Sequence, residues 1–131
     1  MDVLAPVDGS ECSFRALHFA TEFTRRYEGR LHVIHVTDVE SEQAERVLER
    51  AEAVLDEAGL LDDPEFVSDF RLLSPGYADR IGETILEVAR EDDYDHVVMG
   101  HHGKGAIDRL VLGSAAETVV RAAEVSATVV P

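Results

Sequence analysis

Short apolar segments alternate with segments of helical period along the whole chain, and this alternation restricts the fold more than any other feature. Val3-Leu4-Ala5-Pro6-Val7 is apolar and runs into Asp8-Gly9-Ser10, the pattern of a buried strand closed by a turn. Ser10 or Ser13 can cap the helix that follows. Its expected core face is Phe14, Leu17, Ala20, Phe23 and Tyr27, and Gly29 ends it. Leu31-His32-Val33-Ile34-His35-Val36 is a second strand, rich in β-branched residues. From Ser41 to Ala58 the apolar residues Ala44, Val47, Leu48, Ala51, Val54, Leu55 and Ala58 recur at helical spacing, and Gly59 stops the run.

The alternation continues to the carboxyl end. Phe66 to Leu73 reads as a third strand, more polar and suited to a sheet edge. Pro75-Gly76 turns the chain into a helix from about Asp79 to Glu91 that buries Ile81, Ile85, Val88 and Ala89. His96-Val97-Val98-Met99 is the fourth strand. A glycine-rich loop leads to a last helix, Ser114 to Ala123, with Ala115, Val119 and Val120 inward, and Ala127-Thr128-Val129-Val130 is the fifth strand. Strands and helices in strict turn require parallel pairing, right-handed crossovers and helices on both sheet faces. The expected fold is α/β and Rossmann-like, one domain over residues 1–131, with a doubly wound parallel sheet of five strands in the order 3-2-1-4-5.

Charge narrows the partners. Acidic residues number 27 against 12 basic ones, a net charge of −15, which argues against a nucleic-acid or anionic-membrane partner. Lys104 is the only lysine beside eleven arginines. Two readings are open: an arginine-preferring composition, and adaptation to a salt-rich cytoplasm, of which the second is favoured. No stretch approaches the roughly 18 apolar residues that span a bilayer, and the start of the chain lacks the pattern of a signal peptide. A single cysteine, Cys12, forbids a disulfide within the chain. A cytoplasmic location is the expectation.

An open parallel sheet binds ligands beyond the carboxyl ends of its strands, where the strand order reverses. The loops after strands one and four would meet there, and both are rich in glycine. The second runs from Met99 through Gly100, His101, His102, Gly103, Lys104 and Gly105 to Gly113 and Ser114. Gly100, Gly103 and Gly113 let main-chain amides approach an anion. Ser114 adds a hydroxyl where the last helix begins and its first amides lack internal partners. Lys104 and Arg109 supply local cations. Ser114-Ala115-Ala116-Glu117 also has the form of a capping box, so Ser114 has a helix-capping reading as well. Asp8 likewise has a reading as a helix-start residue. There is no Walker loop, because Gly105 follows Lys104, and no nucleophile elbow. Adjacent histidines at 101 and 102 point different ways and do not have the spacing of a zinc site.

Gly100-x2-Gly103-x9-Gly113-Ser114 resembles the ATP-binding signature of the universal stress protein family. Pro6-Val7-Asp8-Gly9-Ser10 is similar to that family's first-strand element, and His35-Val36-Thr37-Asp38 to its second-strand end. The resemblance covers the whole chain. It implies that ATP with magnesium is bound, with Gly100, Gly103, Gly113 and Ser114 on ribose and phosphates. It implies Asp8 beside the nucleoside or a bound magnesium, main-chain contacts from Val36 to adenine, and Pro6, Val7 and Met99 as walls of the base pocket. His102, Lys104 and Ala115 complete the implied nucleotide-binding set. Lys104 stands where arginine is frequent, which keeps the charge and loses the bidentate fork. A homodimer through the fifth strand is implied too. The expected function is a nucleotide-binding stress-response module with no dedicated catalytic residue. The alternatives are a slow ATPase or autophosphorylating enzyme, with Ser114 or Ser10 as acceptor, and a non-nucleotide interaction module on the same fold.

Overall fold

Two serines start the two helices on one side of the sheet. Ser10 Oγ accepts from the Ser13 amide at 3.1 Å, and Ser41 Oγ accepts from the Ala44 amide at 3.1 Å. The first helix ends with the Gly29 amide donating to the Thr24 carbonyl at 2.9 Å, and the second ends on Gly59, whose φ of 71° is the left-handed conformation glycine adopts freely. In the computed structural model, which describes residues 1–68, 77–102 and 111–131, the elements are β1 (Asp2–Pro6), α1 (Glu11–Arg26), β2 (Arg30–Thr37), α2 (Glu42–Ala58), β3 (Glu65–Ser68), α3 (Tyr77–Glu91), β4 (His96–Gly100), α4 (Ser114–Ala122) and β5 (Ser126–Val130). The expected remainder of the third strand, residues 69–73, lies outside the described residues.

The five strands form one parallel sheet, as the alternation predicts, and their order, β3-β2-β1-β4-β5, is the expected one. Successive side chains of a strand alternate between faces, and each face has its own apolar cluster. Val3, Ala5, Val7, Leu31, Val33 and Val98 pack under α1 and α2 with Phe14, Leu17, Ala51 and Leu55. Leu4, Ile34, Val36, Val97 and Met99 pack under α3 and α4 with Ile85, Leu86, Ala116 and Val119. Among the described residues no helix is long and apolar enough to cross a membrane.

Two expectations about the core are corrected. Tyr27 follows α1 as its C-cap and is 58% exposed, packed on Phe23 at 4.8 Å between ring centroids, so the inward face stops one turn earlier. In α4 the buried pair is Ala116 and Val119, while Val120 is 48% exposed and Ala115 half-buried. The cause is phase: Ala116 and Val119 stand three apart on the line that meets the sheet, and Val120 is rotated about 100° past it.

The strands separate where the order reverses. β1 stays paired with β2 as far as Pro6 opposite Ile34, and the Val7 amide still donates to the Ile34 carbonyl at 2.9 Å. With β4 the register runs only Val3 opposite His96 and Leu4 opposite Val97. Main-chain groups of neighbouring residues point to opposite edges of a strand, so the residue before Val7 faces β4. That residue is Pro6, which has no N–H to give. β4 meanwhile remains paired with β5 through Gly100 opposite Val130. The sheet therefore opens between β1 and β4 at their carboxyl ends.

Candidate functional site

The first wall of this opening is the turn after β1. Asp8 Oδ1 accepts from the Ser10 amide at 2.9 Å, closing an Asx turn. Ser13 Oγ accepts from the Asp8 amide at 3.3 Å and donates to the Ser10 carbonyl at 2.8 Å. Gly9 has φ of 90°, and a Cβ there would stand 3.0 Å from Val47 Cγ2, so a side chain is opposed by both backbone and packing. Val7 is buried toward α1 and α2, and its carbonyl accepts from His35 Nδ1 at 2.7 Å.

The second wall follows β4. A Cβ on Gly100 would meet Cys12 Sγ at 3.0 Å, the Cys12 carbonyl carbon at 3.2 Å and the Ser13 nitrogen at 3.2 Å. Gly100 thus allows the start of α1 to lie directly on the end of β4, a packing reason for the glycine beside the expected ligand reason. Cys12, buried and unpaired, donates from Sγ to the Val130 carbonyl at 3.3 Å. Beyond Gly100 the His101 amide donates to the Val130 carbonyl at 2.7 Å, and the His101 carbonyl accepts from the Gly113 amide at 2.8 Å. These two bonds hold both ends of the glycine-rich loop at the mouth of the opening. His102 is half-buried, with its ring edge-on to His101 at 6.1 Å. Gly103 and Lys104, and with them Gly105 and Arg109, lie outside the described residues.

The capping-box reading of Ser114 is corrected here. Gly113 is the N-cap of α4, with φ −63° and ψ 151°, and among the described residues no side chain caps the helix. Ser114 is the first helical residue and is exposed. Glu117, which the box would turn back onto the helix start, instead accepts from Arg121 Nε at 2.8 Å. The end of α4 thus offers main-chain amides with the positive end of the helix dipole behind them. Its placement depends on Gly82 of α3, where a Cβ would stand 2.6 Å from Thr118 Cβ and 3.0 Å from the Ala115 carbonyl oxygen.

The residues expected around the base, Val36 by its main chain and Pro6, Val7 and Met99 as walls, divide between the faces. Val36 and Met99 belong to the cluster under α3 and α4, and Pro6 shares the face of Leu4 by alternation. Val7 lies on the other face, under α1 and α2. Pro6, Val36 and Met99 can therefore line one side of a ligand together, and Val7 contributes main chain. His35, Ser13 and Gly82 shape this region: the sequence reading offered Ser13 only as a candidate helix cap and His35 only as part of the second-strand element, and gave Gly82 no role. A histidine inside an otherwise apolar strand was the one visible signal for His35.

An ion-paired cluster lies at the other end of the sheet. A pocket of about 370 Å³ there is lined by Asp2, Arg30, His32, Asp62, Asp92 and Tyr94, among others. His32 Nδ1 donates to Asp62 Oδ1 at 2.7 Å and Nε2 to Glu65 Oε1 at 3.2 Å. The Asp62 hydrogen bond above all, with that from Glu65, raises the imidazole pKa to about 9 against the cost of burial. Asp62 Oδ2 also accepts from the Val33 amide at 2.9 Å, so the ion pair ties the segment after α2 to β2. Among the described residues no group of three His, Cys, Asp or Glu side chains is arranged to hold a metal ion.

Known proteins share this architecture. A universal stress protein from Thermus aquaticus is 34% identical over 127 residues, covering 90% of this chain and 89% of its own. A universal stress protein solved in complex with cAMP superposes with a TM-score of 0.76 at 21% identity, over 100% of this chain and 97% of its own. One from Archaeoglobus fulgidus, in complex with dAMP, superposes with a TM-score of 0.75 at 21% identity, over 100% of this chain and 98% of its own. With the family's sequence model matching residues 1–72 and 75–131, the chain belongs to the universal stress protein family.

Proposed function

We propose that this protein is an ATP-binding module that takes the nucleotide with magnesium in the opening between β1 and β4, and whose occupied state alters its pairing with itself or a partner under stress. One observation carries the reading. The Gly113 amide is fastened to the end of β4 through the His101 carbonyl at 2.8 Å, and the helix it starts has no side-chain cap. These observations support a helix terminus suited to an anion at the point where a doubly wound sheet takes its ligands. The cAMP and dAMP complexes of related folds support a nucleotide in this family.

In this reading Gly100, Gly103, Gly113, Ser114 and Ala115 serve ribose and phosphates, with His102 and Lys104 from the same loop. Pro6, Val36 and Met99 wall the base, and Val7 and Asp8 form the floor. Magnesium fits as a passenger of the phosphates. It is a hard ion that keeps few protein ligands, and Asp8 is an oxygen donor already oriented by the Ser10 amide at 2.9 Å. The proposed homodimer would form through β5, whose side chains are half-buried or exposed. The charge of −15 supports a salt-rich cytoplasmic setting.

Calorimetric titration with Mg-ATP, comparing the parent with Gly113→Val, tests the reading. The φ of −63° and ψ of 151° at Gly113 are open to valine, so the substitution itself demands no strained backbone conformation. The expected result is heat from the parent and its loss in the variant. Equal heats from both would overturn the proposal.

A further inference from the structure

The geometry points to His35 as a positioning residue that sets the floor of the opening by holding the Val7 carbonyl, and through it the course of Asp8, Gly9 and Ser10. His35 Nδ1 lies 2.7 Å from the Val7 oxygen. A carbonyl only accepts, so Nδ1 carries the proton and donates. The Val7 amide is already spent on the Ile34 carbonyl at 2.9 Å. Val7 is therefore tied to β2 by both of its main-chain groups, although β1 ends one residue earlier at Pro6. The next residue, Asp8, begins the turn.

A side chain is needed at this point because the strand ladder has run out. Val7 is 3% exposed, so water has little access to its carbonyl, and an unpaired buried carbonyl is costly. Without a donor the peptide after Val7 would rotate toward another partner. That rotation would move the Asp8 amide from Ser13 Oγ and the Asp8 carboxylate from the Ser10 amide, the two bonds that shape the turn. The ring is steadied from its other side by Phe66 of β3, 6.4 Å away between centroids at a tilt of 58°. His35 thus links β3 and β2 to the turn that faces the ligand. The ligand part of this inference rests on the nucleotide reading; the part concerning the turn does not.

Three variants test it. In His35→Asn the amide nitrogen takes the place of Nδ1, in His35→Gln it reaches the place of Nε2, and in His35→Leu the volume stays and the donor goes. Two readouts are taken on each folded variant: amide hydrogen exchange at Asp8 and Ser10 without nucleotide, and the affinity for Mg-ATP. Loss of one neutral hydrogen bond predicts about tenfold faster exchange and about tenfold weaker affinity for the Leu and Gln variants. The Asn variant should return to within about twofold of the parent in both. Should His35→Leu not fold, the Asn and Gln pair decides alone. Exchange at Asp8 and Ser10 that is the same in Asn as in Gln would overturn the inference. A parent that binds no nucleotide would instead defeat the nucleotide reading, while the exchange data would still judge His35.

Discussion

The Gly113 amide donates to the His101 carbonyl at 2.8 Å, joining the residue that caps α4 to the residue that follows β4. His101 in turn donates its amide to the Val130 carbonyl at 2.7 Å. Main-chain bonds therefore tie the start of α4 to the ends of β4 and β5, and the Ser114 side chain is not spent on capping the helix. That arrangement separates stability from binding at Ser114. Ser114→Ala should leave the melting temperature close to the parent's, because Ser114 is not the cap, and should weaken Mg-ATP binding through loss of the hydroxyl. Thermal unfolding checks the first part. A loss near the roughly 1 kcal/mol of a true cap would return Ser114 to a capping role.

The same geometry predicts a trade at Gly113. Its φ of −63° and ψ of 151° suit an aspartate N-cap. Gly113→Asp should stabilise the fold by up to about 1 kcal/mol by satisfying an amide at the start of α4. The new carboxylate would then occupy the place proposed for a phosphate and repel it. Higher melting temperature together with lost nucleotide heat is the expected pair of results.

Gly100 has a packing role that binding measurements alone would misread. Two of the three atoms nearest a Cβ at this position are main chain, the Cys12 carbonyl carbon at 3.2 Å and the Ser13 nitrogen at 3.2 Å. Main chain cannot turn aside as a side-chain end does, so Gly100→Ala should cost about 1–3 kcal/mol by overpacking. Denaturant unfolding without nucleotide measures it. Cys12→Ala in the same chain should recover only part, since it removes the Sγ contact at 3.0 Å and leaves the other two.

Much of this was legible in the sequence, because the signals were long and periodic. The α2 stripe from Ala44 to Leu55 and the apolar strand cores recur over several turns or residues, and tertiary packing follows them. The errors came where the signal was short. In α4 the choice between Ala116 and Val120 turns on one residue of phase in a helix of nine residues. At Ser114 a four-residue pattern matched a capping box, yet the cap fell one residue earlier and Glu117 found Arg121 at 2.8 Å instead. The partners of His35 and Gly82 were not legible, because each depends on an element remote in sequence: the end of β1 for one, α4 for the other.

Salt should separate local from overall electrostatics. At −15 the protein repels a polyanion at long range, and screening shortens that repulsion to about 8 Å at 0.15 M and about 3 Å at 1 M. The proposed contacts come from main-chain amides at close range, where screening acts less. Affinity for Mg-ATP should therefore hold or rise as salt is added. A steep fall across a titration from low to molar salt would mean that net attraction, supplied by basic side chains, governs binding.

Alkaline pH should loosen the end of the sheet away from the opening between β1 and β4. His32 faces a carboxylate with each ring nitrogen, Asp62 at 2.7 Å and Glu65 at 3.2 Å, and lies parallel to the Tyr94 ring at 6.3 Å. Both nitrogens then donate, so the charged imidazolium is the form the fold selects. Its pKa is raised from 6.5 to about 9. A raised folded-state value means that the stabilisation is complete below the unfolded value of 6.5 and disappears as pH climbs through about 9. His96 works in the opposite sense. Burial against Phe23, 4.8 Å away between centroids, lowers its pKa, so its neutral form is preferred and protonation of the unfolded chain costs stability as pH falls below 6.5. The two windows do not overlap, and each histidine can be tested alone. In unfolding curves taken from pH 7 to 10, the parent should lose stability steadily and His32→Gln should start lower and lose less. Parallel slopes for the two proteins over that range would show that the His32 ion pair is not what holds β2 to the segment after α2.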